Sequence, residues 1–301
     1  MPPRTTVFSE SAGVNNVFVV RVIQQISRPE NLGCFGSSRL LASPRLNLTE
    51  SRYVEKKSYL LRLAHSPELA SRAANAQLHA GFGGEAEWVR CVKEEFPKFI
   101  PFLRKKCGVE FRGRVLEIGA GAGWLSAELS KLPKVVEVFA TDFSPDLLRE
   151  QLPKTFKLLK AHEAKITRMP ADFHKLDFPN DHFDFVVCSA VLHHAGNMLT
   201  VLRELRRVLK PGGQVVAVRE PVWPLMKRKP RAIPEGRRSR HDAPALAYRL
   251  EEYRDFFTRA GLELEARRVN LASGVKFLFD GVVNGLTHAR YAFVATKRGR
   301  T

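Results

Sequence analysis

Residues 115–124 read Val-Leu-Glu-Ile-Gly-Ala-Gly-Ala-Gly-Trp: an apolar run, one carboxylate, then three glycines at alternate positions. Val115, Leu116 and Ile118 suit a buried strand, while Leu125, Leu129 and Leu132 recur at helical spacing directly after the glycines. A strand that turns into a helix through glycines lets a ligand approach the backbone and meet the helix N-terminus. A dinucleotide site would put its third small residue where this chain has Trp124. Glu117 also repels a pyrophosphate and attracts a cationic amino acid. About 20 residues past the glycines, Asp142 ends a second apolar run, at the place where a ribose diol is gripped. Its other use would be as a helix start, a task that Ser144 followed by Pro145 serves better.

Further ionisable groups close later apolar runs. His193 and His194 follow Phe183–Cys188, and imidazole titrates near neutrality, so either is a candidate general base. Capping of the next helix is the structural alternative for one of the pair. Glu220, beside Pro221 at the end of Gln214–Val218, is the other candidate base. The elements that must carry these groups are legible from spacing. Met198, Val201, Leu202, Leu205, Val208 and Leu209 give an amphipathic helix that stops at Lys210-Pro211-Gly212-Gly213. Gln214–Val218 is a strand; Leu246, Leu250, Tyr253 and Phe257 define a helix closed by Gly261; Leu262–Ala266 and Tyr291–Thr296 are two final strands.

Several of these stretches, in this order, form a recognisable series. Val115–Gly123, Thr141–Pro145, Met169-Pro170-Ala171-Asp172-Phe173, Leu176-Asp177-Phe178-Pro179, Phe183–Cys188, Ser189–His194 and Leu209–Gly213 together resemble the class I S-adenosylmethionine (SAM) dependent methyltransferases. The likeness covers about residues 110–297 and is nearest in pattern to small-molecule enzymes such as those of ubiquinone and menaquinone synthesis. It implies an α/β, Rossmann-like, doubly wound fold. Its seven-stranded sheet would run 3-2-1-4-5-7-6 with strand seven antiparallel, under an N-terminal helical lid. It implies SAM as cofactor. By the same resemblance Glu117 faces the amino-acid moiety, and Gly119, Ala120, Gly121 and Gly123 admit the cofactor. Asp142 and Phe143 lie at the ribose, Asp172 accepts from the adenine amino group, Phe173 offers a backbone N–H and a ring face, and Ser189 completes the set. The expected division is a tail over 1–47, a helical lid over 48–110 in which Trp88, Val92 and Phe96 stripe one helix, with a hinge at Gly81-Phe82-Gly83-Gly84, and a SAM-binding domain over 111–301.

The chain carries 49 Lys and Arg against 31 Asp and Glu, a net charge of +18. Such an excess favours anionic partners. Residues 221–245 add seven basic residues and five prolines, which read as a basic flap leaving the ligand side of the sheet. The expected acceptor is therefore a small molecule, with an anionic one compatible with the charge. RNA or another nucleic acid is the alternative acceptor. Against it, positions 188–191 read Cys-Ser-Ala-Val, not the Asn/Asp-Pro-Pro-Tyr/Phe that holds a flipped base. A non-catalytic SAM-binding protein is the second alternative, and the intact glycine and acid positions oppose it. The four cysteines have neither zinc-site nor disulfide-frame spacing, so no metal is expected and a reducing, cytoplasmic setting fits. The lysine-free, Arg- and Ser-rich first 50 residues raise a mitochondrial transit peptide, which Glu10 and Glu30 oppose.

Overall fold

The computed structural model describes residues 50–65, 84–223, 248–272 and 291–299. The chain divides into two compact units, 1–47 with 57–76 and 48–56 with 77–301. In the first, the described part is helix α1 (Lys57–His65). The expected tail, the hinge residues Gly81–Gly83 and flap residues 224–245 lie outside the described residues.

The second unit is built on one sheet. Its strands are β1 (Arg52–Tyr53), β2 (Gly113–Glu117), β3 (Val135–Asp142), β4 (Ile166–Pro170), β5 (Phe183–Ser189), β6 (Leu209–Glu220), β7 (Leu262–Arg268) and β8 (Tyr291–Lys297). They lie in the order β1-β4-β3-β2-β5-β6-β8-β7. Strands β1 to β6 pair in parallel, and β8 runs antiparallel between β6 and β7. Without β1 this is the expected seven-strand order. β1 is the departure: Arg52 and Tyr53 pair with Thr167 and Arg168 on the outer edge of β4. Two residues are too few to leave a periodic signal in the sequence.

The middle strands are apolar on both faces because helices cover both. Val115, Leu116, Val186, Val187 and Val216 are all buried. Helix α6 (Met198–Val208) starts where the Asn197 side chain accepts the Thr200 N–H at 3.0 Å, and it buries Met198, Val201, Leu202, Leu205 and Val208. Each such burial stabilises by about 1.5–3 kcal/mol. Helix α7 (Leu250–Arg259) starts with the Arg249 N–H bonded to the Glu252 carboxylate at 2.7 Å, and Gly261 follows it at φ 75°. The stripe Trp88, Val92, Phe96 does not form one regular helix. It runs through α2 (Glu85–Arg90), a π-turn over Cys91–Glu95 and a 3-10 turn over Phe96–Lys98 into α3 (Phe99–Cys107). Pro97 supplies no N–H for an i→i−4 bond, so the winding must change there. No described helix is long and apolar enough to cross a membrane.

Candidate functional site

The groups singled out for chemistry gather at the C-terminal ends of the parallel strands, beside the point where β2 has β3 on one side and β5 on the other. That crevice is where open α/β sheets bind ligands. After β2 the chain folds over itself: Ala120 N donates to Thr141 O at 2.8 Å and Gly123 N to Ala120 O at 2.7 Å. Gly119, Gly121 and Gly123 all have positive φ, at 58°, 49° and 77°. Their reasons differ. A Cβ on Gly119 would meet Val191 at 2.8 Å, and one on Gly123 would meet Leu152 at 2.8 Å and Phe156 at 2.9 Å, both on helix α5 (Leu152–Leu159). A Cβ on Gly121 would meet nothing nearer than the Gly119 carbonyl at 3.9 Å. Gly119 and Gly123 are glycine for protein packing; the space at Gly121 is open. Helix α4 (Trp124–Ser130) leaves this loop, and its buried Trp124 packs against Phe96 with ring centres 5.2 Å apart.

Two buried carboxylates flank the loop. Glu117 Oε2 accepts from the Ser126 N–H at 2.9 Å and from the Ser126 hydroxyl. Burial pushes its carboxyl up to about 8, against the downward pull of both Ser126 donors and with the nearby Asp142 charge adding to the rise. Asp142 Oδ2 accepts from Gly121 N–H at 2.8 Å and Oδ1 from Ser144 N–H at 3.0 Å. Burial raises its pKa while the backbone donors of Ser144, Gly121 and Phe143 oppose the rise. Asp142 is thus a loop clasp as well as a candidate ligand group, more than the sequence reading gave it. Ser144 caps the next turn through its Oγ, which accepts the Leu147 N–H at 3.4 Å.

Beyond β4, Asp172 Oδ1 takes the His174 N–H at 2.9 Å and lies 2.9 Å from His174 Nδ1. Phe173 stacks on the same imidazole at 4.7 Å. His174 Nε2 accepts the Gly196 N–H at 3.2 Å, which makes Nδ1 the protonated nitrogen that donates to Asp172. Sequence reasoning missed this bridge because Gly196 is 22 residues away.

Glu220 requires a correction. It is 1% exposed, and its oxygens are taken up by the protein. Oε1 accepts the N–H groups of Val191 at 2.7 Å and Leu192 at 3.0 Å; Oε2 accepts the His193 N–H at 3.2 Å. Oε2 also lies 3.0 Å from His193 Nδ1. A carboxylate so engaged is not presented to a substrate as a base. It fixes the segment after β5 and orients His193 with Nδ1–H toward itself and Nε2 bare. His194 is exposed, its ring 4.0 Å from that of His193. Desolvation of the buried Cys188, with the Glu220 carboxylate and then Glu117 adding to it, holds it as a thiol. Ser189, at the end of β5, accepts from Arg219 Nη1 at 3.3 Å. Arg219 was absent from the sequence reading, where its one visible signal is a cation inside an apolar strand.

An open glycine loop between two buried carboxylates fits a ligand with a cationic amino acid at one end and a ribose beyond it. The donor set at this crevice therefore matches the cofactor that the sequence resemblance implies.

Comparison with known proteins points the same way. Residues 116–217 match the family model described as "Methyltransferase domain". A ubiquinone/menaquinone biosynthesis C-methyltransferase of Geobacter sp. is 30% identical over 129 residues, which are 42% of this chain and 54% of that protein. A malonyl-[acyl-carrier protein] O-methyltransferase of Halorhodospira halophila is 35% identical over 107 residues, 34% of this chain and 33% of that protein. The chain thus spans about half or less of the length of these curated relatives. Among solved structures, a phosphoethanolamine N-methyltransferase 2 of Haemonchus contortus in complex with S-adenosyl-L-methionine superposes with TM-score 0.50 at 17% identity, over 71% of this chain and 56% of that one. That likeness is one of fold.

Proposed function

We propose, from the match of residues 116–217 to the methyltransferase domain model, that this protein transfers the methyl group of SAM to a small-molecule acceptor. The observation that carries the reading is the open space at Gly121 between the buried carboxylates Glu117 and Asp142. In this reading Glu117 receives the ammonium of the cofactor's amino-acid end, Asp142 the ribose diol, and Asp172 and Phe173 the adenine. Phe143 and Ser189 line the same crevice. When bound, the cofactor supplies a methyl group already activated by its sulfonium. The chain's task is then to hold the acceptor in line and keep water out. Where the acceptor must lose a proton, His193 is the base and Glu220 its positioning residue, because the Nδ1 contact leaves Nε2 with the lone pair. Support for a small-molecule acceptor comes from the two curated relatives, whose names are those of a C- and an O-methyltransferase. The +18 net charge favours an anionic one.

The test is transfer of labelled methyl from SAM into fractionated cell extract by the purified protein. Label in the small-molecule fraction is the expected result. Label in RNA would replace the acceptor class. Binding of S-adenosylhomocysteine without transfer into any fraction would leave a SAM-binding protein that is not an enzyme.

A further inference from the structure

The polar bridge beyond β4 has at its centre a ring that the proposed chemistry does not use. His174 follows Phe173 in the turn that leaves β4, where the Lys175 N–H donates to the Asp172 carbonyl at 3.0 Å. Three contacts hold its imidazole. Nδ1–H donates to Asp172 Oδ1 at 2.9 Å, Nε2 accepts the Gly196 N–H at 3.2 Å, and the Phe173 ring covers one face with centres 4.7 Å apart. A neutral imidazole has one donor nitrogen and one acceptor nitrogen, so both are used here. Gly196 precedes Asn197, which caps α6, and follows the 3-10 turn Leu192–His194 that Glu220 fastens. The ring therefore ties the end of β4 to the segment after β5, and these strands lie on opposite sides of β2 in the sheet.

The bridge bears on the carboxylate assigned to adenine. Asp172 Oδ1 also accepts the His174 main-chain N–H at 2.9 Å, so residue 174 bonds the same oxygen twice. One bond fixes the position of an oxygen; a second from another direction fixes the plane of the carboxylate. The second donor is itself immobilised, because its other nitrogen is engaged by Gly196. A group that reads a ligand must be held in its productive direction by partners whose own rotamers are locked. Packing alone does not do this here: the His174 and Asp172 side chains are 28% and 29% exposed. Water therefore competes for the carboxylate, and a charge-assisted bond from a fixed ring N–H is the stronger competitor.

We propose that His174 is the positioning residue for adenine recognition: anchored at Gly196, it holds the Asp172 carboxylate in the direction that reads the 6-amino group. This rests on the methyltransferase reading above. The experiment titrates the full chain with S-adenosylhomocysteine and with its analogue lacking the 6-amino group. The parent is measured beside His174→Asn, His174→Gln and His174→Phe. The asparagine amide carries an N–H2 at the place of Nδ1–H, the glutamine amide offers its oxygen near the place of Nε2, and phenylalanine keeps the stack on Phe173 with neither bond. The parent should prefer S-adenosylhomocysteine by about tenfold or more, because a site built to bond an N–H rejects a ligand without it. His174→Asn should keep most of that preference, while His174→Gln and His174→Phe should lose it. Affinity for the analogue should hold in every variant, since no bond from its base to Asp172 is at stake. The Gly196 amide signal in 1H–15N NMR should move in His174→Asn and His174→Phe and stay near its parent position in His174→Gln. A preference retained in His174→Gln and His174→Phe would overturn the proposal, as would a parent that binds both ligands equally. Equal loss of both ligands, or no rescue by His174→Asn, would make the residue a structural one and overturn it too. A parent that does not bind S-adenosylhomocysteine at all would instead refute the methyltransferase reading, and this proposal with it.

Discussion

Glu117 makes a prediction that links burial to ligand binding. Its carboxyl is pushed up to about 8 by desolvation at the end of β2. At pH 7 a group of that pKa is about nine-tenths protonated. An ammonium placed against it stabilises the charged form and drives the proton off. Binding of S-adenosylhomocysteine at pH 7 should therefore release up to about 0.9 proton from this residue. Calorimetry in buffers of different ionisation enthalpy at one pH reads that number from the slope of apparent heat against buffer enthalpy. Glu117→Gln keeps an acceptor oxygen for Ser126 and cannot release the proton, so its slope should fall to near zero. The same shift acts on the ligand-free protein. The carboxyl holds its proton more tightly folded than unfolded, where the reference value is 4.5. Its contribution to stability is thus complete below about 4.5 and lost as pH rises to about 8, with a limiting slope of ~1.4 kcal/mol per pH unit. A parent protein that releases no proton, or a Glu117→Gln variant that releases as many, would refute this reasoning.

Other perturbations separate packing from ligand contact. Gly123→Ala drives a methyl into Leu152 and Phe156, so its stability should fall by the sum of overpacking, about 1–3 kcal/mol, and left-handed backbone strain of about 1–2 kcal/mol, read as a lower melting temperature. Gly121→Ala carries only the backbone cost, because its methyl enters open space; it should lose at least tenfold in affinity for S-adenosylhomocysteine with the smaller drop in melting temperature. Asp142→Ala should lower both quantities, since the half-buried Gly121 and buried Ser144 N–H groups lose their acceptor at about 1–3 kcal/mol each. Glu220→Gln turns an NH2 toward the His193 donors; methyl transfer should drop by roughly 10²-fold in a proton-losing reaction, while affinity for S-adenosylhomocysteine holds. If transfer is unaffected, His193 is not the base.

The parts of the fold that were legible are those where one strand or helix carries its own pattern. Val115–Ile118 with its glycines, the Met198–Val208 stripe and the Phe183–Cys188 run each state their period locally, and the parallel order follows from the motifs they carry. What was hidden depends on pairing between distant segments. Arg52 and Tyr53 form a strand only because β4 offers a free edge. The Trp88–Phe96 stripe looked like one helix, and Pro97 re-winds it. In the site, the types at positions 117 and 142 announced their carboxylates. Their partners did not follow from spacing, since Ser126 is reached only after the loop has closed. Glu220 was visible as an acid at a strand end. Its engagement by Val191, Leu192 and His193 required the β5–β6 register. Arg219 depended on a bulge, which no local pattern announces.

The central claim is that this crevice holds SAM and not a dinucleotide. It is tested most directly by titrating the purified protein with SAM, S-adenosylhomocysteine and NAD in one calorimeter at one pH. The account predicts saturable one-to-one binding of the first two and none of NAD, because Trp124 fills the place of the third small residue. Binding of NAD more tightly than SAM would contradict it.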